Sequence, residues 1–341
     1  MVLIGVDPHK LTHTAVAIDG DEIPIARVQV DADRRQLSRL LAWAEPLGAE
    51  RVWAIESAAG LGQLLSQQLV AAGEVVVDVP AALSARARLL GSAKAAKNDP
   101  NDALSAAIVA LRNRELRVVG ADGPNAVLRL LADRLHDLSA LRTQTACRLH
   151  VVLRELIEGG APLRLQADRA AKLLRATRAT HPVAVERRRL GLELVADLRR
   201  HDSAIVEQKA RITAAVADSG TTLVEIHGVG AIVAAIILGQ VGDPARFPSR
   251  DRFAAYNATA PIEASTAMVK RHRVNQRGNR RLNHAMHLIA VTQIAHDTPG
   301  RAYYERKLAE GKSKKEALRS LKRRVSDAVW RQLQVDLGRR G

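Results

Sequence analysis

Near its N-terminus the chain reads Val2-Leu3-Ile4-Gly5-Val6-Asp7, an apolar run that ends in a carboxylate. A short continuous apolar run bounded by a polar residue is typical of a buried β-strand. The pattern recurs at Val52-Trp53-Ala54-Ile55-Glu56, a second predicted strand that also ends in an acid. These two stretches predict an α/β domain that carries carboxylates at the ends of buried strands.

Two further acids, Asp99 and Asp102, lie at the start of a predicted helix. Carboxylates that converge from strand ends and a helix are suited to bind hard divalent cations such as Mg²⁺ or Mn²⁺ through oxygen. Two such cations can clamp the attacking and leaving oxygens of a phosphodiester. The predicted metal ligands and catalytic acids are therefore Asp7, Glu56, Asp99 and Asp102.

Each acid taken alone has a simpler explanation. The sequence Asp99-Pro100-Asn101-Asp102 fits a helix cap, with proline at the first helical position and an acid in the first turn. The stretch Ile4-Gly5-Val6-Asp7 resembles the first phosphate motif of actin-like ATPases and sugar kinases, although no later Asp-Gly-rich motif follows. Glu56 alone is compatible with a helix start. Only the four acids together favour a metal site.

The charge of the chain indicates a polyanionic partner. Its 341 residues carry a formal net charge of +16, and the stretch from Arg246 onward holds 22 Lys and Arg against 8 Asp and Glu. Aromatic residues make up only 2%, so we expect contacts with backbone phosphates rather than stacked bases. The single cysteine, Cys147, excludes an intramolecular disulfide and a Cys-rich zinc site.

The order of predicted elements is three strands, helix, strand, helix, strand, helix, which is that of an RNase H-like (RuvC-like) α/β domain. A helical coiled-coil spacer with apolar residues at heptad spacing follows, and then a mainly α-helical C-terminal domain with a helix-hairpin-helix-like segment at Ile226–Gly230. An ordinary bundle core explains the heptads equally well. The predicted domains are 1–118, the spacer or dimerisation region 125–218, and 220–341.

Basic residues cluster in the predicted C-terminal domain between Lys270 and Arg281, and a basic helix continues from Lys312 to Arg324. Such side chains contact backbone phosphates and position nucleic acid without specifying its sequence. The predicted nucleic-acid-binding residues are Lys270, Arg271, Arg273, Arg277, Arg280 and Arg281.

Several motifs resemble the DEDD transposases of the IS110 family of bacterial insertion sequences. Gly5-Val6-Asp7-Pro8-His9-Lys10 is similar to the first acidic motif of that family, Glu56 to the second, and Lys97–Ala103 to the paired-aspartate motif. The segments Ile226–Asp243, Arg246–Ser249, Ala254–Tyr256 and Arg277–Leu282 resemble its C-terminal transposase domain.

The resemblance implies a DNA transposase, or recombinase, in which the RuvC-like acids work with a serine that attacks DNA and forms a covalent intermediate. It also implies double-stranded DNA at the element ends and target, and a structured bridge RNA that selects both by base pairing. We expect a cytoplasmic, nucleoid-associated bacterial protein with no membrane partner. Because acids and serine lie in different domains, we expect a homodimer or homotetramer.

The expected serine departs from the family pattern. In Ala260-Pro261-Ile262-Glu263-Ala264-Ser265-Thr266-Ala267, counting from Pro261 selects Thr266, whereas serine chemistry selects Ser265. Threonine is bulkier at the attacking carbon, and either hydroxyl needs activation by a base or a metal. We predict Ser265 as the nucleophile and Thr266 as the alternative, with an inactive copy of the element as the third case.

The second motif also departs from the family pattern, because Glu56 is not followed by the usual Thr-Gly-x-Tyr. Two other functions remain open from the residues alone. One is a metal-dependent, structure-selective DNA nuclease similar to a Holliday-junction resolvase. The other is a non-catalytic nucleic-acid-binding protein in which the four acids are structural.

Overall fold

The computed structural model describes residues 1–91, 99–263, 272–273 and 278–339. The chain divides into two compact units, Met1–Asp122 and Gly123–Gly341. None of the helices in these described ranges is long and apolar enough to span a membrane.

The first unit is a mixed six-stranded sheet with the strand order β3-β2-β1-β4-β5-β6. Strands β1, β4 and β5 are parallel, whereas β2 runs antiparallel to both β1 and β3. The elements are β1 Val2–Pro8, β2 Thr12–Ile18, β3 Pro24–Asp31, α1 Gln36–Ala44, β4 Arg51–Glu56, α2 Gln63–Ala71, β5 Val75–Val79, α3 Ala81–Gly91, α4 Asp99–Arg112 and β6 Arg117–Val118. This topology confirms the predicted RNase H-like fold.

Strand β6 was not predicted, because two residues are too few to produce a periodic pattern. It pairs antiparallel with β5 and closes the edge of the sheet next to the end of the unit. The first unit ends at Asp122, a few residues after the predicted end of the domain at residue 118.

Both faces of the sheet are covered by helices. Ile4 and Val6 of β1 belong to a core that includes Leu40 of α1 and Leu65 of α2. On the opposite face, Leu3 packs with α4. Since successive side chains of a strand point to opposite faces, Gly5 and Asp7 share the face of Leu3.

A glycine in β1 lets α4 lie directly on the sheet. A Cβ atom at Gly5 would overlap with the carbonyl oxygen of Ala103 and the amide nitrogen of Ala107. Because Asp7 follows two residues later on the same strand face, and Asp99 precedes Ala103 by one helical turn, this contact brings the two acids together.

The second unit is almost entirely helical. Its elements are α5 Pro124–Leu156, α6 Ala167–Ala176, α7 Pro182–Asp218, α8 Ala231–Val241, α9 Arg250–Tyr256, β7 Ile262–Glu263, β8 His272–Arg273, α10 Arg280–Ala295, α11 Pro299–Ala309 and α12 Lys314–Gly338. The long helices α5 and α7 pack along each other and form a hairpin.

The predicted spacer 125–218 is helical, but it does not form a unit of its own. Leu128 and Leu135 of α5 share one core with Ile237 of α8 and Leu321 of α12. The second half of α5 packs in a separate core with α6 and α7. These heptad positions are therefore buried within the second unit, as in the bundle alternative, and the bounds of the spacer stay a prediction.

The glycine-containing segment predicted as a helix-hairpin-helix forms a turn before α8. Gly228 has φ +92°, and a Cβ there would lie 3.1 Å from the carbonyl oxygen of Ile289. Glycine is therefore needed both for the left-handed backbone and for the close approach to α10. The binding of phosphate by this turn stays a prediction.

Candidate metal centre and nucleic-acid interface

Two of the predicted acids lie side by side at the carboxyl edge of the parallel strands. Val6 of β1 pairs with Ile55 of β4, so the next residues, Asp7 and Glu56, end neighbouring strands at the same edge. This is the edge at which open α/β sheets place their ligand sites. Asp7 is only 8% exposed.

Helix α4 adds the second pair of acids. Asp7 Oδ2 lies 3.1 Å from Nε2 of His9, and the same nitrogen lies 3.4 Å from Oδ1 of Asp99. The ligand atoms of these three residues all lie within 4.8 Å of one another, which is close enough for one metal ion to contact them. His9 belongs to the first acidic motif, and its place in the site was not predicted from the sequence.

The fourth acid has a cationic partner. Arg88 of α3 donates a hydrogen bond to Oδ1 of Asp102, and the carboxylate is only 8% exposed. Arg88 was missed at the level of sequence, because its helix precedes α4 and nothing in its spacing relates it to an acid. This guanidinium offsets part of the negative charge of the cluster.

The acids perturb one another electrostatically. Burial raises the pKa of Asp7, and the charges of Asp102 and Asp99 raise it further, while His9 opposes them. Burial also raises the pKa of Glu56, against the influence of the Ser84 hydroxyl, and the charges of Asp7 and Asp102 add to the increase. These mutual effects place all four carboxylates in one electrostatic cluster.

The donor set fits a hard divalent cation. Carboxylate oxygens are the ligands that Mg²⁺ and Mn²⁺ prefer, and a histidine nitrogen is tolerated better by Mn²⁺ than by Mg²⁺. Burial raises the pKa of Asp7 and Glu56 most, and a divalent ion would offset the repulsion between acids that adds to this increase. Asp7, Glu56 and Asp99 are available as ligands, whereas Asp102 must first exchange its contact with Arg88.

The predicted nucleophiles lie outside the described residues, as do Lys270, Arg271 and Arg277. On either side of the residues that are not described, Ile262 and Glu263 of β7 pair antiparallel with Arg273 and His272 of β8. Ser265 and Thr266 follow β7 after one intervening residue, and Lys270 and Arg271 directly precede β8. In sequence, the candidate hydroxyls therefore lie between β7 and β8, together with Lys270 and Arg271.

The remaining predicted phosphate contacts are divided between strand and helix. Arg273 lies in β8. Arg280, at the first position of α10, is exposed. Arg281 forms an ion pair with Asp133 of α5, so its charge is already compensated within the second unit.

Comparison with known proteins gives two family matches that agree with this arrangement. Residues 4–158 match the DEDD transposase model of the IS110 type, and residues 220–305 match the model described as the transposase IS116/IS110/IS902 family. The chain belongs to the IS110 family of DEDD transposases. It is therefore a DNA transposase, and the family together with the acidic cluster implies a divalent metal.

Two bacterial insertion-element proteins resemble the chain over nearly its whole length. The IS900 uncharacterized 42 kDa protein of Mycobacterium paratuberculosis is 28% identical over 383 residues, which covers 97% of this chain and 95% of that protein. The IS116 uncharacterized 44.8 kDa protein of Streptomyces clavuligerus is 28% identical over 382 residues, covering 97% and 94%.

Among solved structures, T. thermophilus RuvC in complex with a Holliday junction substrate covers 35% of this transposase and 99% of its own chain. Its TM-score is 0.28 and its sequence identity is 17%. The RNase H-like fold of the first unit is established by its own strand order rather than by this likeness.

Proposed function

We propose that this transposase cuts and rejoins DNA through Mg²⁺ bound by the four acids and through Ser265 as a covalent nucleophile. The observation that carries the proposal is the convergence of Asp7, Glu56 and Asp99 with Asp102 at one edge of the sheet. Bound Mg²⁺ would stabilise the charge that develops on the scissile phosphate.

The acids of the chain have two tasks in this reaction. Asp7 and Glu56 sit on rigid strand ends, so they hold the metal position with little freedom to move. Asp99 and Asp102 sit in the first turn of α4, where the helix dipole favours their ionised form. Arg88 would hold Asp102 in place until the site is loaded.

The attack of the Ser265 hydroxyl on DNA would be a transesterification. The oxygen of Ser265 bonds to phosphorus, the bond to the leaving sugar oxygen breaks, and a proton passes from the serine to that leaving oxygen through a base. The reverse step with a hydroxyl of the partner strand releases the serine and rejoins the DNA. No net hydrolysis is needed, because one phosphodiester is exchanged for another.

The proposed partners follow from family and charge. Double-stranded DNA at element ends and target would be held by the basic residues around Lys270–Arg281, and a structured bridge RNA would select both sequences by pairing. A homodimer or homotetramer is proposed for the active form, and a cytoplasmic, nucleoid-associated location follows from DNA as substrate. Light scattering of the protein with and without its RNA tests the oligomeric state.

Trapping of a covalent protein–DNA adduct tests the nucleophile. After denaturation, we expect an adduct with the wild-type protein and with Thr266→Ala, and none with Ser265→Ala. An adduct that survives Ser265→Ala but not Thr266→Ala assigns the reaction to the threonine. Strand cleavage without any adduct favours a nuclease that uses water, similar to a junction resolvase.

A variant of the acidic cluster tests whether the acids are catalytic at all. We expect Asp102→Asn to remain folded and to lose DNA rearrangement. Retained rearrangement together with loss of folding would instead indicate a structural cluster in a protein that binds nucleic acid without cutting it.

A further inference from the structure

The second unit contains a basic pocket that the acidic site does not explain. It has a volume of about 650 Å³ and is formed by the chain between α9 and β7, by α10, by α11 and by the first half of α12. Six of its lining residues are cations and two are acids. Its size is that of a pocket that binds a nucleotide-sized ligand.

Most of the positive charge in this pocket is uncompensated. Of the two acids, Glu316 accepts hydrogen bonds from Ser313 at the start of α12, and Asp327 lies 3.2 Å from Arg323. In the described part of the chain, Lys312, Arg319, Lys322 and Arg324 form no salt bridge. The pocket therefore contains more cations than its two acids can balance.

Lys322 is a cation of this pocket that is partly withdrawn from water and has no charged partner among the described residues. It is half-buried, and its Nζ donates one hydrogen bond of 2.7 Å to Oδ1 of Asn283. Burial lowers its pKa, with no carboxylate to oppose the shift. Because a partly desolvated ammonium costs free energy unless an anion faces it, a bound anion would stabilise this side chain.

A hydrogen-bond network connects Lys322 with the segment that leads to the proposed nucleophile. Asn283 donates through Nδ2 to the carbonyl oxygen of Asn257 at 2.9 Å. Asn257 is fully buried and donates to Ser326 of α12, and its Oδ1 accepts from the amide and the hydroxyl of Thr259. The pocket and the chain at 257–261 are thus parts of one fixed arrangement.

Chain length limits the distance from this pocket to the candidate hydroxyl. Pro261 lines the pocket and precedes Ser265 by four residues. Four residues span at most about 14 Å even when fully extended. This limit is short enough for a phosphate in the pocket and the phosphate that Ser265 would attack to belong to one DNA strand.

We propose that this pocket binds a backbone phosphate of the DNA strand that is cut, with Lys322 as its half-buried cation and Arg319 and Arg324 at its rim. The phosphate-binding function stands on the pocket alone, whereas its place beside the cut rests on the proposed function of Ser265. Lys322 is a binding residue that positions the strand.

Inorganic phosphate tests the pocket independently of DNA cleavage. At equal ionic strength, replacing chloride with phosphate should raise the melting temperature of the wild-type protein and of Lys322→Arg. The increase should be absent in Lys322→Met and retained in Lys315→Ala, which removes one charge from α12 outside the pocket. An equal increase in Lys322→Met, or none in the wild type, would overturn the proposal.

Salt dependence of DNA binding tests the ligand class. The experiment uses a Ser265→Ala background, which keeps the DNA uncut. Affinity for duplex DNA falls as salt rises, and Lys322→Met should reduce the steepness of log affinity against log salt by about 0.9. Lys322→Arg should restore the slope. A loss of slope with single-stranded RNA but not with DNA would overturn the assignment to DNA. Because no serine chemistry is involved, failure here is distinguishable from failure of the proposed nucleophile.

Discussion

The two ends of the sheet in the first unit both carry carboxylates that are at least partly buried, but these carboxylates have different partners. At the carboxyl edge, Asp7 and Glu56 face other acids. At the opposite end, Glu74 accepts hydrogen bonds from the guanidinium of Arg51 and, at 2.7 Å, from Nε1 of Trp53. The first arrangement leaves negative charge to be balanced by a ligand, whereas the second is complete within the chain.

The pKa shifts of the two ends have opposite signs. Burial raises the pKa of Asp7 and of Glu56, and the neighbouring acids increase the shift. Burial alone would also raise the pKa of Glu74, but the hydrogen bonds from Arg51 and Trp53 outweigh it, so this pKa lies below its usual value. A buried acid thus indicates a site only where its partners fail to neutralise it.

The largest effect is expected at the carboxyl edge. Asp7→Asn should reduce recombination by roughly a thousandfold, equivalent to about 4 kcal/mol of transition-state stabilisation, because a metal ligand is removed. The protein should remain folded. An assay of excision and joining with purified protein measures the loss. The control is Asp31→Asn, which removes an exposed carboxylate from β3; equal activity of the two variants would contradict the metal assignment.

The next largest effect is expected at the opposite end. Glu74→Ala should lower the free energy of unfolding by about 3 kcal/mol, because it leaves the partly buried Arg51 without its acid. Urea denaturation measures this change. At a temperature where the variant is folded, its recombination rate should equal that of the wild type. A stable but inactive Glu74→Ala protein would contradict the assignment of a purely structural role to the end of the sheet that carries Glu74.

Gly5 connects packing with the site. Gly5→Ala should cost about 2 kcal/mol of stability, because the new methyl group forces α4 away from β1. It should also reduce recombination of the folded fraction, since Asp99 and Asp102 move with the helix. Gly20→Ala is the control, as its Cβ meets no atom within 4 Å. Full activity of Gly5→Ala would contradict the claim that the close contact between α4 and β1 is needed for recombination.

The smallest effect is expected in the pH dependence of stability without metal. Because their pKa values are raised on folding, Asp7 and Glu56 contribute stability that is present at low pH and is lost as pH rises through the folded pKa. The lowered pKa of Glu74 has the opposite sign, so its contribution is lost as pH falls through the folded pKa.

The melting temperatures of the wild-type protein and of Asp7→Asn in a chelating buffer test the predicted pH dependence of the contribution of Asp7 to stability. The variant should be the more stable protein near neutral pH, and its advantage should shrink toward about pH 4, where carboxylates are protonated. An advantage that grows as the pH falls would contradict the raised pKa.

Much of the first unit could be predicted from sequence. The strand-end acids Asp7 and Glu56 follow from apolar runs, and parallel strands place such ends at one edge. Neither His9 nor Arg88 could be assigned to the cluster in this way, because their contacts depend on side-chain directions and on the packing of α3 and α4. The predicted helix cap and the proposed metal site use the same residues, Asp99 and Asp102, so the local pattern alone could not separate the two roles.

For the second unit, the helices and their apolar positions could be predicted from the sequence, but the way in which the helices pack together could not. The heptad positions of α5, such as Leu128 and Leu149, are buried as their spacing indicates. Their partners could not be identified, because an apolar seam does not specify which helix covers it. The pocket around Lys322 combines segments distant in sequence, so a count of basic residues could indicate phosphate binding but not its location.

Binding of Mn²⁺ to the acidic cluster is the most direct test of the central claim. Electron paramagnetic resonance titration should show Mn²⁺ bound by the wild-type protein and by Asp31→Asn, with affinity reduced at least tenfold in Asp7→Asn, consistent with the loss of one of few ligands. Mg²⁺ should displace the bound Mn²⁺. Equal Mn²⁺ affinity in all three proteins, or none in the wild type, would contradict a metal centre at the carboxyl edge of the sheet.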